Sequence, residues 1–323
     1  MKTIGVVGAG FYGAYIALKL ADKGHRVIVF DPEDNTQSAT LHCQARLHSG
    51  MFYVRSLTDL KSCARNFTKF FKLFKPYIYT GFNSYYLIDN DSKVSFDTYK
   101  QICKDNNLSV KEVSLDYVNK HSIQGILKAN EFSIDTEGLL FNLRDKCKNH
   151  PNIVWVRDLV TSLNQEVIIT TGSGRIYRVD TCVLASYGNN FKFLKDLGYK
   201  VPEYTTYQLP VLQFKDNLPK DCHAVVDGDF WSSIVKQDYK LTTSKVNIND
   251  LNYGDKCIDL MQKYIPELEV KVLDISIAKK VVMKGTREAQ ITRYGNKYTS
   301  IYAVFSGKLT NIFDIINQIE NLE

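Results

Sequence analysis

Three glycines near the amino terminus, Gly8, Gly10 and Gly13, have the spacing of a dinucleotide-binding turn. In such a turn the first glycine permits a tight bend, the second lets backbone N–H groups approach a pyrophosphate, and the third lets a helix pack closely on a strand. Asp31 follows Gly13 by 18 residues, where a carboxylate can accept hydrogen bonds from both hydroxyls of a ribose. An acidic group there disfavours a 2′-phosphate, so NADP fits worst, whereas FAD and NAD both fit.

The elements around these residues predict a complete βαβ unit. The β-branched run TIGVV forms a short strand that ends at Gly8, and apolar residues then recur at helical spacing from Phe11 to Lys23. The run RVIVFD supplies the second strand, which ends at Asp31. Because the amino end of a helix attracts phosphate, Phe11 and Tyr12 are also predicted to contact the cofactor.

The segment HCQARLHSGMFY (42–53) resembles the FAD-dependent oxidoreductases of the D-amino acid oxidase superfamily. It is most similar to the branch of L-2-hydroxyglutarate and glycerol-3-phosphate dehydrogenases, which have a segment of this form running past the isoalloxazine ring. The match includes Leu47, His48 and Tyr53. The resemblance implies that FAD is the cofactor and that Arg46, Leu47 and His48 lie near it.

Two further segments carry the same resemblance. The segment IVWVRDLVTSL looks like the family's strand that offers backbone to the adenine, which implies a contact from Val160. The segment RVDTCVLASYGNN resembles the family's strand that ends in a small residue and a glycine near the pyrophosphate, which implies Ser186 and Gly188.

The segment VFSGKLTNIFDII resembles the closing GGKLT motif of the glycerol-3-phosphate branch and adds Gly307, Lys308, Leu309 and Thr310 as candidate cofactor contacts. Gly307 and the N–H groups that open a helix there would form an anion-binding nest. Such a nest, with the Lys308 ammonium, would stabilise the negative charge of reduced flavin and favour hydride acceptance. A lysine at a helix start is unfavourable for the helix dipole, which favours this interpretation over a solvated cation.

Candidate catalytic residues come from two segments. KGTREAQITRYGN resembles the family's G-x-R-P segment, which implies Arg287 as the clamp for a substrate carboxylate, although Glu288 replaces the proline and could pair with Arg287 instead. His48 is the candidate general base, because an ordinary imidazole pKa of about 6.5 suits proton removal near neutrality. Tyr53 could orient a substrate carboxylate. The alternatives are a structural histidine and a core tyrosine.

Composition bounds the class of protein. Lys and Arg number 41 against 35 Asp and Glu, without a polybasic block, which argues against a nucleic acid partner. No stretch of about 20 uncharged apolar residues occurs, so no membrane span is predicted. The seven cysteines are scattered without metal-ligand spacing, which indicates reduced thiols, a cytoplasmic location and no metal site.

The sequence therefore predicts an α/β fold in which a Rossmann-like FAD-binding domain of the glutathione-reductase type is interleaved with an antiparallel-sheet substrate domain. Residues 1–75, 135–205 and 295–323 have the pattern of a doubly wound sheet and are assigned to the FAD-binding domain. Strand-like alternation assigns 76–134 and 206–294 to the substrate domain.

The preferred hypothesis is an FAD-dependent oxidoreductase that oxidises a small carboxylate-bearing substrate by hydride transfer to flavin N5. The substrate would be a 2-hydroxy acid, an amino acid or a secondary amine, and the electron acceptor oxygen, a quinone or a carrier. Two alternatives are an NAD-dependent dehydrogenase and a non-catalytic flavin-binding protein that retains the fold.

Overall fold

The computed structural model describes residues 1–247, 249, 252–284, 289–295 and 299–319. Contacts within the chain divide it into two compact units. The first unit comprises three segments and the second unit two: Met1–Leu41, Thr136–Tyr207 and Lys279–Glu323 for the first, and His42–Asp135 and Gln208–Ala278 for the second.

The described residues form twenty strands. These are β1 (Thr3–Val7), β2 (Arg26–Phe30), β3 (Arg46–Leu47), β4 (Ile78–Tyr79), β5 (Ser84–Asp89), β6 (Val110–Val113), β7 (Ile123–Ala129), β8 (Phe132–Ile134), β9 (Ile153–Val156), β10 (Val160–Leu163), β11 (Ile168–Thr171), β12 (Ile176–Arg178), β13 (Thr181–Leu184), β14 (Tyr204–Asp216), β15 (Cys222–Val225), β16 (Trp231–Val235), β17 (Lys240–Ser244), β18 (Val270–Met283), β19 (Gln290–Gly295) and β20 (Ser300–Phe305).

The same residues form seven α-helices and six short 3-10 helices. The α-helices are α1 (Phe11–Asp22), α2 (Leu57–Leu73), α3 (Phe96–Asp105), α4 (Thr136–Asn149), α5 (Asn190–Asp196), α6 (Tyr253–Tyr264) and α7 (Ile312–Ile319). The 3-10 helices are Asn35–Gln37, Met51–Tyr53, Lys75–Tyr77, Lys120–Ser122, Tyr187–Asn189 and Leu309–Asn311. Among the helices described, none has both the length and the apolar character needed to cross a membrane.

The first unit contains a six-stranded sheet in the order β19-β20-β13-β1-β2-β9. Five of these strands are parallel, and β19 pairs antiparallel with β20. The inner strands are apolar on both faces and buried, as expected when helices or a second sheet cover a parallel sheet. A three-stranded antiparallel sheet, β10-β11-β12, belongs to the same unit, and its Val160 and Ile169 share a core cluster with Phe30, Leu184 and Phe305.

An eight-stranded sheet has the order β18-β14-β17-β16-β15-β5-β7-β6, and its strands from β17 to β6 lie entirely in the second unit. Adjacent strands from β14 to β6 are antiparallel except for the parallel pair β15 and β5. Trp231 and Tyr264 are among the largest fully buried side chains, and they share a core cluster with Phe214 and Leu87. A small sheet, β3-β8-β4, belongs to the same unit.

The architecture agrees with the predicted α/β class, but the predicted domain boundaries differ at two places. Residues 42–75 lie in the second unit, because β3 pairs with β8 of that unit. Residues 279–294 group with the first unit, because β19 extends the parallel sheet through its pairing with β20.

Two local predictions also require correction. The segment 153–163 forms two strands, β9 and β10, in two different sheets, because the chain leaves the parallel sheet after Val156. The stretch from 77 to 134 contains a helix, α3, as well as strands. Ser95 starts this helix by accepting the Thr98 N–H, a capping signal that its polar surroundings concealed.

Candidate functional site

The glycine turn of the first unit is packed so closely that side chains are excluded. Gly8 has a φ of +92°, and a Cβ added there would lie 3.0 Å from the carbonyl oxygen of Ala185. A Cβ added at Gly13 would lie 1.8 Å from the carbonyl oxygen of Gly8. The first turn of α1 therefore rests directly on the end of β1, as the sequence predicts for a dinucleotide-binding turn.

The amino end of α1 is suited to an anion. Gly10 precedes the helix in an extended conformation, and the first turn, FYGA, contains no acidic residue. The Phe11 N–H donates a hydrogen bond to Thr40 Oγ1 over 3.2 Å. A helix end with N–H groups facing outward and no competing carboxylate in its first turn favours phosphate.

Asp31 is buried at the end of β2 and fixed by three donors. Its Oδ2 accepts the Ala9 N–H over 2.6 Å, and its Oδ1 accepts the Glu33 N–H over 2.7 Å. The third donor is Arg144 on α4, whose Nη2 lies 3.4 Å from Oδ1. Since an ionised carboxylate has about four acceptor positions, one on Oδ2 remains for a ligand hydroxyl.

The ends of β1 and β13 adjoin each other. The Ser186 Cα would lie 3.0 Å from a Cβ at Gly8, and Asn190 Oδ1 accepts both the N–H and the hydroxyl of Ser186, over 2.9 and 2.8 Å. Gly188 is equally confined, because a Cβ there would lie 2.8 Å from Val281 Cγ2. The structure thus brings Gly8 and Ser186 together at the carboxyl edge of a parallel sheet, where such folds bind ligands.

The closing motif contacts α1 through a tyrosine. The Tyr12 hydroxyl donates to the backbone carbonyl of Lys308 over 2.5 Å, and Ser306 Oγ donates to the same carbonyl over 3.2 Å. Burial raises the pKa of Tyr12, so its phenol remains a donor. Thr310 is buried and Leu309 half-buried, whereas Gly307 is exposed with open space around it.

The predicted start of the closing helix requires adjustment. The 3-10 helix Leu309–Asn311 comes first, and α7 begins only at Ile312. Val160 is buried in the core cluster of its unit, which leaves its backbone as the part able to meet a ligand, as the family resemblance implies.

In the second unit, Arg46 lies almost completely buried beside Glu131. The Arg46 Nη1 is 3.4 Å from Glu131 Oε2 and 3.2 Å from Ser84 Oγ, and Nη2 donates to Ser232 Oγ and to the Ser233 carbonyl. Burial alone would lower the pKa of Arg46, but the groups around it, including Glu131, outweigh that effect and raise it. Arg46 is therefore a charged member of a polar core.

Glu131 collects further donors and fixes the region around His48. Its Oε1 accepts the N–H and the hydroxyl of Ser49 over 2.8 and 3.0 Å, and Oε2 accepts the Tyr86 hydroxyl over 2.7 Å. Burial, reinforced by the nearby Glu131, raises the pKa of Tyr86 well above its ordinary value, so this phenol remains protonated. The carboxylate is fully buried, and each of its contacts holds a negative charge in place.

His48 lies at the edge of this network with part of its ring accessible. Its Nδ1 is 3.8 Å from Glu131 Oε2, and 19% of its side chain is exposed. Phe52 and Tyr53 pack on the ring with centroids at 4.9 and 5.3 Å. Leu47, in contrast, is fully buried. The structure thus places His48 and Tyr53 together.

Arg287, the predicted carboxylate clamp, and its neighbour Glu288 lie outside the described residues. Within the described part of the chain, no group of three or more His, Cys, Asp or Glu side chains could hold a metal ion.

A second histidine of this unit, His223 on β15, is buried without a carboxylate contact among its described hydrogen bonds. Its Nε2 lies 3.1 Å from the Tyr117 hydroxyl. Burial, together with the positive charges of Lys240 and Arg46, lowers the pKa of His223 to about 3. The imidazole is therefore neutral at neutral pH.

Sequence reasoning missed three residues of these networks. Thr40 caps α1, Arg144 holds Asp31, and Glu131 joins Arg46 to His48. Arg46 and Glu131 are 85 residues apart, and Asp31 and Arg144 are 113 apart. No spacing rule connects residues at such separations, so only the fold could reveal these partners.

Comparison with known proteins places the chain among flavoproteins. Residues 3–216 match the family described as FAD dependent oxidoreductase (DAO). The chain is similar to the FAD-dependent monooxygenase kojA of Aspergillus flavus, at 31% identity over 107 residues, or 31% of this chain and 25% of that protein. The chain spans a quarter to a third of the length of the curated relatives that it matches.

Solved structures show the same fold at low identity. Glycine oxidase from Geobacillus kaustophilus superimposes with a TM-score of 0.80 at 11% identity, covering 100% of this chain and 96% of that one. Dithionite-reduced L-α-glycerophosphate oxidase from Mycoplasma pneumoniae, with FAD bound, superimposes with a TM-score of 0.76 at 14% identity. The match covers 99% of this chain and 94% of that one.

Replacing Gly13 tests the packing of the turn. We expect Gly13→Ala to lower the free energy of unfolding by about 3 kcal/mol, because the methyl group overlaps the Gly8 carbonyl oxygen, and to weaken cofactor binding. Gly254→Ala is the control, since its Cβ would lie 3.7 Å from Ile275 Cδ1. Urea unfolding and flavin fluorescence titration measure both effects. Equal stability of the two variants would contradict the packing argument.

Removing the Glu131 carboxylate tests the buried pair. We expect Glu131→Ala to cost about 3–5 kcal/mol of unfolding free energy, because it leaves the Arg46 charge buried without its partner. The double variant Arg46→Met/Glu131→Leu should recover most of this loss. Glu112→Ala, which breaks an exposed pair with Lys100, should cost less than about 1 kcal/mol. A similarly small cost for Glu131→Ala in urea unfolding would show that the pair is not important for stability.

The buried His223 predicts a component of acid instability. Its pKa is about 3 in the folded chain and about 6.5 when unfolded. Between these values only the unfolded chain takes up the proton, so stability falls as the pH drops from about 6.5 to 3, by at most about 1.4 kcal/mol per pH unit. We expect His223→Gln to flatten this decline in urea unfolding at pH 4 to 7, and the exposed His121→Gln to leave it unchanged. Identical slopes for His223→Gln and the parent protein would refute this assignment.

Proposed function

The chain belongs to the DAO family of FAD-dependent oxidoreductases, and from that premise we propose that it oxidises a small carboxylate-bearing substrate by hydride transfer to flavin N5. The substrate class is a 2-hydroxy acid, an amino acid or a secondary amine. The predictions of the family, of FAD as cofactor and of an enzyme are confirmed. An NAD-dependent dehydrogenase and a non-catalytic flavin-binding protein are thereby set aside.

The first unit fits FAD on its own geometry. The turn of Gly8, Gly10 and Gly13 would hold the pyrophosphate, since it excludes side chains and opens onto a helix end without an acidic residue. Asp31 would accept a ribose hydroxyl through its remaining acceptor position. When bound, FAD supplies the acceptor for two electrons and a hydride.

Further residues of this unit support the same assignment. Ser186, which lies beside the glycine turn, and Gly188 both follow β13 and would contribute backbone to the pyrophosphate, and Val160 would offer backbone to the adenine. The Lys308 ammonium would counter negative charge that develops on the reduced flavin. The bond from Tyr12 to the Lys308 carbonyl would fix the backbone that carries this lysine.

The observation that carries the proposed chemistry is the partly exposed His48 imidazole beside the buried Glu131 carboxylate. An imidazole so placed can take a proton from the substrate hydroxyl or amine, and the carboxylate behind it stabilises the resulting positive charge. Tyr53, packed against the same ring, would orient the substrate carboxylate. Arg287 remains the proposed clamp for that carboxylate, on the family resemblance alone.

A second candidate activity comes from a relative. The name FAD-dependent monooxygenase kojA and its 31% identity to part of this chain favour monooxygenation. A monooxygenase needs an external reductant for its flavin, whereas the proposed reaction reduces the flavin with the substrate itself. The source of the electrons therefore separates the two functions.

The test is an anaerobic absorption spectrum of the purified holoenzyme during additions of 2-hydroxy acids, amino acids and secondary amines. We expect bleaching of the oxidised flavin bands by one of these classes without NADH or NADPH. Reoxidation by oxygen, by a quinone analogue or by neither then assigns the acceptor as oxygen, a quinone or a carrier. Bleaching by NADPH but by no member of the panel would overturn the proposal in favour of monooxygenation.

His48 provides a test at the level of one residue. We expect His48→Asn to slow flavin reduction by the substrate found in that panel about 10²–10⁴-fold, because the proton acceptor is lost. The flavin spectrum and content should remain those of the parent. His121→Asn, at an exposed position, is the control. An unchanged reduction rate in stopped-flow measurements would assign His48 to a structural role.

A further inference from the structure

Arg144 joins three separate parts of the cofactor-binding unit. From α4 its Nε donates to the Ala9 carbonyl over 2.9 Å, Nη1 donates to Asn35 Oδ1 over 2.9 Å, and Nη2 reaches Asp31 Oδ1 at 3.4 Å. The side chain is only 13% exposed. One guanidinium thus connects the glycine turn, the acidic end of β2 and the loop that follows it.

We infer that Arg144 is a positioning residue for FAD, which sets cofactor affinity by holding Asp31 in the orientation that receives the ribose. This inference rests on the ribose role proposed for Asp31. Three donors occupy acceptor positions of the Asp31 carboxylate, two from the backbone and one from Arg144. The backbone donors fix where the carboxylate lies, and Arg144 supplies the only one of the three that carries a charge.

The charge matters because two anions meet at this place. The Asp31 carboxylate is buried, and the cofactor would bring its pyrophosphate to the turn that includes Ala9. The Arg144 guanidinium donates hydrogen bonds to the Ala9 carbonyl and to Asp31. Its positive charge offsets the repulsion between the Asp31 carboxylate and the pyrophosphate. Without it, the Asp31 carboxylate would repel the incoming pyrophosphate with no positive charge between them.

The geometry requires arginine and not only a positive charge. The three acceptors lie in different directions and are met by three different nitrogens of one planar group. A lysine ammonium on a shorter, flexible stem cannot reach all three at once. Arg144→Lys should therefore retain only part of the effect.

The experiment is a double-mutant cycle on FAD affinity, measured by quenching of flavin fluorescence on titration of apoprotein from which FAD was removed. Asp31→Asn weakens a contact to the ribose, and Arg144→Met removes the guanidinium but keeps the apolar stem. We expect Arg144→Met to raise the Kd about tenfold in the parent and less than about threefold in the Asp31→Asn background, because the two residues act on one contact. Arg144→Lys should give an intermediate Kd.

Arg157 offers a matched control. It is a positive charge on the same unit that pairs with Glu33, two residues from Asp31, and 72% of its side chain is exposed. We expect Arg157→Gln to change the FAD Kd less than about twofold. An effect of Arg157→Gln as large as that of Arg144→Met would show that net charge, not the bond to Asp31, governs affinity and would overturn the inference.

ADP as a competing ligand tests whether the effect of Arg144 lies at the ribose and pyrophosphate that ADP shares with FAD. ADP contains the ribose and the pyrophosphate but no flavin, so Arg144→Met should weaken ADP and FAD by the same factor. A loss confined to FAD, or equal losses from Arg144→Met in both Asp31 backgrounds, would overturn the inference. An FAD Kd unaffected by Asp31→Asn would instead remove the proposed ribose role of Asp31. If Arg144→Met does not fold, the Arg144→Lys cycle gives the same comparison.

Discussion

Contact between the first turn of α1 and the end of β1 is the constraint on which the first unit depends. A methyl group at Gly13 would stand 1.8 Å from the Gly8 carbonyl, so helix and strand meet with no side chain between them. This closeness directs the helix end toward the edge where β1 and β13 finish. The Ala9 N–H of the same turn donates to Asp31 Oδ2. The proposed cofactor site of this unit thus rests on a packing distance.

The structure of the second unit depends on donors that pair with the buried charge of Glu131. Glu131 is completely buried, and donors from Arg46, Ser49 and Tyr86 surround it. A buried carboxylate needs such a set of partners, because burial removes the hydrogen bonds it would form with water, and an unpaired buried charge is very costly. This set includes Arg46 and Ser49, which lie before and after His48 in the chain. Buried contacts therefore fix the backbone that carries this partly exposed imidazole. In both units, a buried carboxylate determines where accessible groups lie.

The sequence predicted interactions between residues that are close in the chain but not interactions between residues that are far apart in it. The turn, α1 and Asp31 lie within one run of about 30 residues, and local rules of spacing and apolar pattern suffice there. Asp31 and Arg144, in contrast, are 113 residues apart, on a strand and a helix whose meeting only the fold determines. The difference between the predicted domain boundary and the compact units at residues 42–75 has the same cause. The pattern of α2 shows that one face is buried but not which sheet buries it.

The two buried carboxylates also differ in a way that suits their proposed roles. Asp31 receives two backbone N–H groups besides the Arg144 guanidinium, and keeps one acceptor position for a ligand. Glu131 receives mostly side-chain donors, and both of its oxygens are used inside the protein. A carboxylate with a free acceptor position can bind a ligand directly, whereas a saturated one can act only by its charge. In the proposed reaction Glu131 would act by its charge on neighbours such as His48, whose imidazole lies near the carboxylate and is partly exposed.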